Sequence, residues 1–317
     1  MSTGDVKVEE ITSEAQRTEL GEGPHWDIAR QTLYFVDIFA PAIFRLDYKT
    51  NKIYKATIKD DNSPIGFFIP VEGKSDEFVV GANRRVLLIR WDGESAQAAI
   101  VKVIVEVDHS YPGNRINDGK VDPKGVLFFG SMGDEASPDF LKFRNGSLYS
   151  FTDKFGAKAW RDGVGIGNGL TWDVKRKKFY YVDSLTRDVK AWDYDVEKSI
   201  ISNETVLVDF NETHPDINFV GDGMTIDENG TLYVATHHGS RILVINPDTA
   251  KIVKEIAIPA AQVTSLAFGG PNLDILYVTT AARPIGTQPA PAGGIFKITG
   301  LGVKGLPMQA FKYLNLQ

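Results

Sequence analysis

Asn168-Gly169-Leu170-Thr171-Trp172-Asp173, followed by Phe179-Tyr180-Tyr181-Val182-Asp183, is the phrase from which this chain is built. It is a turn opened by a polar residue beside glycine, an apolar strand ending in Asp, a second turn and a second apolar strand. The phrase recurs as Glu22-Gly23-Pro24-His25-Trp26-Asp27 before Leu33 to Asp37, as Asn117-Asp118-Gly119-Lys120-Val121-Asp122 before Val126 to Gly130, and as Asp222-Gly223-Met224-Thr225-Ile226-Asp227 before Thr231 to Ala235. Fainter copies start at Ile65-Gly66 and Ser265-Leu266. A unit of this size cannot bury its own apolar face and must stack on its neighbours, which is the signature of a solenoid or a propeller.

The anchors at 22, 66, 118, 168, 222 and 265 lie 44, 52, 50, 54 and 43 residues apart, the length of a four-stranded propeller blade. Such units occupy nearly the whole chain. Strands rich in Val, Ile, Tyr and Phe are separated by turns such as Pro123-Lys124-Gly125 and Glu228-Asn229-Gly230, and no window carries a helical period. The expectation is an all-β chain: a six-bladed β-propeller of four-stranded antiparallel blades, one domain over residues 1–317. Gly294 to Ile298 reads as a late strand, and the run from Val6 to Ile11 as a clasp that covers an otherwise open edge.

Composition narrows the partners. A net charge of −6 over 317 residues is opposed to nucleic acid or an anionic membrane as the main partner. The cluster Lys175-Arg176-Lys177-Lys178 reads as a solvated turn. With no cysteine, thiolate ligands, disulfides and a cysteine nucleophile are excluded. The opening residues have no apolar leader-like run, and no stretch is long enough to span a bilayer, so the expectation is a cytoplasmic monomer acting on a small molecule.

Glu22-Gly23-Pro24, Asn114 to Lys120, Asn168-Gly169-Leu170 and Asp222 to Asp227, in that order and spacing, resemble the SMP-30/gluconolactonase/luciferin-regenerating enzyme family; Ala267 to Thr280 is similar to its animal, regucalcin-like members. The resemblance implies a six-bladed propeller with a divalent cation at one end of the central channel and lactone hydrolysis as the usual activity. It implies Glu22, Asn168 and Asp222 as metal ligands and Arg115, Asn117 and Glu135 as the substrate pocket. Two departures stand out, Gly221 where the family has Pro and the glycine-rich Gly165-Ile166-Gly167, both expected to loosen backbone beside the ligands.

The residues themselves support that chemistry. Carboxylate and amide oxygens are a hard donor set that suits calcium first, with magnesium, manganese or zinc as alternatives. A cation there polarises a carbonyl and activates water, with Asp222 the candidate general base. The leading expectation is a metal-dependent hydrolase opening sugar lactones such as glucono-1,5-lactone. The alternatives are another electrophile at the same site, of luciferin-regenerating or organophosphate type, or a calcium-binding regulatory protein. The Asp residues closing the strands and turns, Asp27, Asp37, Asp122, Asp173, Asp183 and Asp227, recur too often to be catalytic and read as hydrogen-bonding structure. Trp26 and Trp172 read as core, and His25 as packed beside the channel. Of His237 and His238, adjacent on a strand and so facing opposite sides, at most one is expected to reach the axis. The segment 281–293 reads as a loop over the channel mouth or a surface connection.

Overall fold

The computed structural model describes residues 5–283 and 291–313; most of the 281–293 segment, from 284 to 290, lies outside the described residues. The polypeptide begins with β1 (Lys7–Glu10) and then folds into successive antiparallel meanders. The first is β2 (Gly21–Asp27), β3 (Thr32–Asp37), β4 (Ala42–Asp47) and β5 (Lys52–Ile58). The next is β6 (Ile65–Pro70), β7 (Glu77–Ala82), β8 (Arg85–Arg90) and β9 (Gln97–Glu106). Then come β10 (Arg115–Val121), β11 (Leu127–Met132), β12 (Gly146–Thr152) and β13 (Gly156–Val164). They are followed by β14 (Gly167–Asp173), β15 (Lys178–Asp183), β16 (Asp188–Asp195) and β17 (Ile200–Asp209), after which a short α1 (Phe210–Thr213) intervenes. The remaining strands are β18 (Val220–Ile226), β19 (Leu232–His237), β20 (Arg241–Asn246), β21 (Lys251–Ala257), β22 (Gln262–Gly269), β23 (Ile275–Ala281) and β24 (Phe296–Thr299).

Consecutive strands pair within each meander, and β1 completes the last one by pairing antiparallel with β24, Lys7 opposite Thr299 and Glu10 opposite Phe296. The expected N-terminal clasp is therefore present. The first strands of the meanders form a closed circuit: β2 packs on β6 and on β22, and β10, β14 and β18 complete the path between them. Residues of these strands are buried along almost their whole length, whereas the outermost ones, such as β21 and β17, expose alternate or nearly all side chains.

Large apolar residues fill the seams between meanders. Trp26 of the first stacks on Tyr277 of the last at 5.4 Å, and Trp172 packs edge-on to Phe128 of the preceding one at 5.4 Å. Trp26 is fully buried, so its loss would cost about 3–5 kcal/mol. The recurrent Asp residues are structural as read. Asp37 accepts from the amides of Glu19 and Leu20, Asp183 from those of Gly165 and Ile166, and Asp122 from the amides of Lys124 and Val126 and the Tyr194 hydroxyl. The basic turn is less free than expected, because Arg176 is held by Asp173 and Asp248 and Lys178 by Asp193.

The C-terminal segment 304–312 crosses the end of the ring reached by the C-termini of the inner strands. The Lys304 carbonyl accepts from Glu228 N, Gly305 N donates to the Leu273 carbonyl, buried Phe311 exchanges backbone hydrogen bonds with Pro70 and Glu72, and Lys312 N donates to the Gly125 carbonyl. This strap joins meanders that are distant in sequence.

Candidate metal and substrate site

Every inner strand carries a register shift at its anchor: at Glu22 to His25, Ile65 to Phe67, Ile116 to Asp118, Gly167 to Leu170, Gly221 to Met224 and Val263 to Ser265. A bulge adds a residue on one strand and re-aims the side chain there. Asn168 and Asp222 are residues within such bulges, as is Asn117. The glycine after the anchor is demanded by packing: a Cβ on Gly169 would stand 2.6 Å from Met224 N of the next inner strand. The polar-residue-plus-glycine phrase thus encodes both the aim of the side chain and the closeness of the ring.

Glu22, Asn168 and Asp222 are all buried, at 4, 4 and 5% exposure. Burial pushes the Glu22 carboxyl well up, reinforced by the charges of Asp222 and Asp118. Asp222 is likewise pushed well up by burial and by the charge of Asp118. Asp118 is raised to about 6 by burial, against the opposing pull of Lys120 and the Gly119 amide. The charges of these three buried carboxyls oppose one another, a cost that a nearby cation would relieve.

The oxygens fit a hard dication. Asn168 Oδ1 and Asp222 Oδ1 are buried with no hydrogen-bond partner, an expensive condition for an acceptor unless a positive charge answers it. Asn168 Nδ2 is occupied, donating to Ser184 Oγ at 2.9 Å, and Ser184 in turn donates to the Gly221 carbonyl at 2.7 Å. Among the described residues no group of three or more His, Cys, Asp or Glu side chains is placed to hold a metal ion by itself; the donor set expected from sequence, Glu22, Asn168 and Asp222, is two carboxylates and an amide.

The pocket residues form one network. Buried Arg115 donates from Nε to Glu135 Oε2 at 2.9 Å and from Nη1 to Asn117 Oδ1 at 2.7 Å, and Asn117 Nδ2 donates to the Gly167 carbonyl at 3.0 Å. Glu135 reaches from the loop after β11 and meets a second guanidinium, Arg283 Nη1, at 3.4 Å. Both arginines lie over the Phe39 ring, at 5.5 and 4.1 Å. Arg283, Ser184 and Phe39 were not singled out from sequence, since nothing local marks them. Asp118 had a signal, its place as an anchor equivalent to Glu22, Asn168 and Asp222.

Two expectations change. Gly165-Ile166-Gly167 is not a loosening: a Cβ on Gly167 would meet Gly130 Cα at 2.6 Å, so the glycine is there for close approach, and the Gly221 carbonyl is held by Ser184. Nor do His237 and His238 face apart. β19 ends at His237, His238 turns to the left-handed φ of 67°, and the two Nδ1 atoms come within 2.7 Å. His237 is depressed to about 3 by burial, by His238 and by Arg283, which places it beside the pocket rim. His25, 3% exposed, lines the channel as expected.

Known proteins carry the same architecture. The family profile described as the SMP-30/Gluconolactonase/LRE-like region matches residues 20–282. Regucalcin of Bos taurus is 36% identical over 306 residues, covering 95% of this chain and 97% of that one. The structure of a luciferin-regenerating enzyme aligns with a TM-score of 0.88 at 38% identity, over 97% of this chain and 99% of its own. A protein from Agrobacterium tumefaciens described as a calcium-binding protein, regucalcin, shares the fold, with a TM-score of 0.82, 20% identity and 96% of each chain. With the family profile spanning most of its length and a relative this similar end to end, the chain belongs to the SMP-30/gluconolactonase/luciferin-regenerating enzyme family.

Proposed function

We propose that the chain is a single six-bladed β-propeller that hydrolyses sugar lactones with a divalent cation held by Glu22, Asn168 and Asp222. The observation that carries this reading is the pair of orphaned, buried oxygens, Asn168 Oδ1 and Asp222 Oδ1, beside a second buried carboxylate at the bulged anchors. A bound dication would supply Lewis acidity toward the lactone carbonyl and lower the proton affinity of a water. Calcium is the first choice for an all-oxygen donor set, and the Agrobacterium relative's description supports it.

The protein's own groups do the rest. Asp222 is the candidate base for the proton of the attacking water; as a ligand of the cation its own basicity would be lowered, so its further role is to orient that water. Arg115 is held in place from two sides, by Glu135 and Asn117, and offers remaining guanidinium protons to the developing negative charge. Asn117 and Glu135 read substrate hydroxyls, so that lactones lacking them leave buried polar groups unpaired and are disfavoured. The narrow, buried setting of these groups excludes bulk water.

The test is turnover of glucono-1,5-lactone, followed by proton release in weak buffer, with chelator-stripped protein resupplied with calcium, zinc, manganese or magnesium. Metal-restored turnover above the spontaneous rate is expected; none with any metal overturns the reading. The 38% identity to a luciferin-regenerating enzyme along nearly the whole chain favours one second reading, the same site acting on a heterocyclic electrophile, which a substrate panel separates.

A further inference from the structure

The end of the ring opposite the anchors holds a cavity of about 390 Å³. It is walled by the C-terminal ends of inner strands, and five residues of strand separate Asn168 from Asp173 and Asp222 from Asp227, about 16 Å at ~3.3 Å per residue. It is therefore distinct from the anchor site. Its size falls within the range of small-molecule pockets. The strap closes one side with Leu306, Pro307 and Met308, and Ile226 contributes from β18.

Polar side chains interrupt this apolar lining, Lys120 and Trp172 among them. Lys120 donates one proton from Nζ to the Met224 carbonyl at 2.8 Å, leaving two. Burial lowers its ammonium to about 8, and the charge of Asp118 opposes that shift. Trp172, 5% exposed, has a buried indole N–H with no acceptor. The acidic groups of the wall are engaged elsewhere: Asp173 with Arg176, and Asp227 with the amides of Asn229 and Thr231 and with Tyr233. At the rim Lys175 donates to the carbonyl of Glu228, one charge of each sign. Lys120 therefore keeps protons to offer a ligand in the cavity.

We propose that this cavity is a second ligand site, taking a small carboxylate with an apolar body, its carboxylate on Lys120 and its body against Ile226, Leu306, Pro307 and Met308. An ion pair in an apolar pocket supplies orientation, and burial of the body supplies most of the affinity. The strap completes the site, so ligand and strap are bound to the same end of the ring. None of Glu22, Asn168 and Asp222 lines this site, so it can be tested apart from the lactonase reading, although Lys120 feels the charge of Asp118.

The test is binding of 2-naphthoate to the full-length protein by calorimetry and tryptophan quenching, with and without chelator. Saturable binding that is unchanged by chelator is expected, weakened at least about tenfold when 2-naphthamide replaces the carboxylate and in Lys120→Met. Because Lys120→Met removes a buried hydrogen bond, Leu306→Trp provides the second variant: Leu306 is partly exposed on the strap, and the larger ring fills the cavity, abolishing binding without disturbing an inner strand. No binding, binding that requires added metal, equal binding of the amide, or binding indifferent to both substitutions overturns the proposal.

Discussion

Asn168 Nδ2 donates to Ser184 Oγ at 2.9 Å, and this single contact fixes which way the amide faces. The Ser184 proton is committed to the Gly221 carbonyl, so its oxygen meets Asn168 only as an acceptor and must face the NH2 group. The amide oxygen is thereby turned into the site with no partner of its own. Ser184 itself is positioned at the start of a single helical turn capped by Asp183, whose carboxylate accepts from Leu185 N.

Ser184→Ala should therefore act on metal affinity through Asn168. Removal of a group that orients a ligand typically costs 10–100-fold in affinity, so a loss of about that size is expected by calorimetric titration with calcium. The Gly221 carbonyl also loses its donor, for a stability cost of about 1–3 kcal/mol. Unchanged calcium affinity would remove Asn168 from the ligand set.

Asp222→Asn keeps the side chain's shape and removes its charge. Turnover should fall steeply, while the metal-free protein should melt higher at neutral pH, because Glu22 and Asp118 no longer face a third carboxylate. The sign follows from the raised carboxyls: their stabilising proton is fully bound below the ordinary carboxylate range and is lost as pH rises through their elevated folded values. Denaturation of chelated protein across pH 4 to 8 should accordingly show a decline in the wild type that is shallower in the variant.

The anchors and their order were legible because the repeats at Glu22, Asp118, Asn168 and Asp222 write the same local demand, a polar side chain at or beside a bulge followed by a glycine in close approach to a neighbouring strand. The strand-closing Asp residues were legible for a similar reason, since they satisfy amides a few residues away. Arg283 and Phe39 were not, because their meeting with Arg115 and Glu135 is made by tertiary closure between segments far apart in sequence. The strap escaped reading as well: residues 304–312 have neither strand alternation nor helical period, and are ordered by backbone hydrogen bonds to other meanders. The histidine pair misled because the strand rule of opposite faces lapses at a residue with left-handed φ.

The edge strand β1 should act as a clasp. A chain starting at Thr12 loses four paired residues and the packing of Val8 against the last meander, exposing the edge of β24. At about 1 kcal/mol per hydrogen bond, the loss is on the order of a few kcal/mol. A lowered melting temperature with concentration-dependent association in light scattering is expected, and an unaltered melt would assign closure to the Trp26–Tyr277 stack alone.

His25 makes the fold acid-sensitive. Burial holds its imidazole neutral, lowering it from 6.5 to about 4, with Asp27 opposing and Lys120 assisting. The folded state refuses a proton that the unfolded chain accepts, so this contribution is complete above pH 6.5 and is lost as pH falls toward 4. A displacement of that size is worth about 3 kcal/mol. His25→Gln should flatten the corresponding part of the stability profile measured by urea denaturation; parallel profiles would mean that the histidine titrates freely.

Glu135 balances two guanidiniums at the pocket mouth, and its charge decides what the mouth attracts. With Glu135→Gln, Arg115 keeps its Asn117 contact and stays ordered, but Arg115 and Arg283 become a pair of cations with no carboxylate between them. The neutral lactone gains nothing from that field and loses a hydroxyl-reading acceptor, so its KM should rise with a smaller change in kcat. The product of lactone opening is a carboxylate, which the same field attracts. Product inhibition by gluconate should tighten in the variant, and the extra inhibition should fade with added salt as screening shortens the reach of the two charges. Inhibition that stays as in the wild type would mean that neither arginine faces the leaving product.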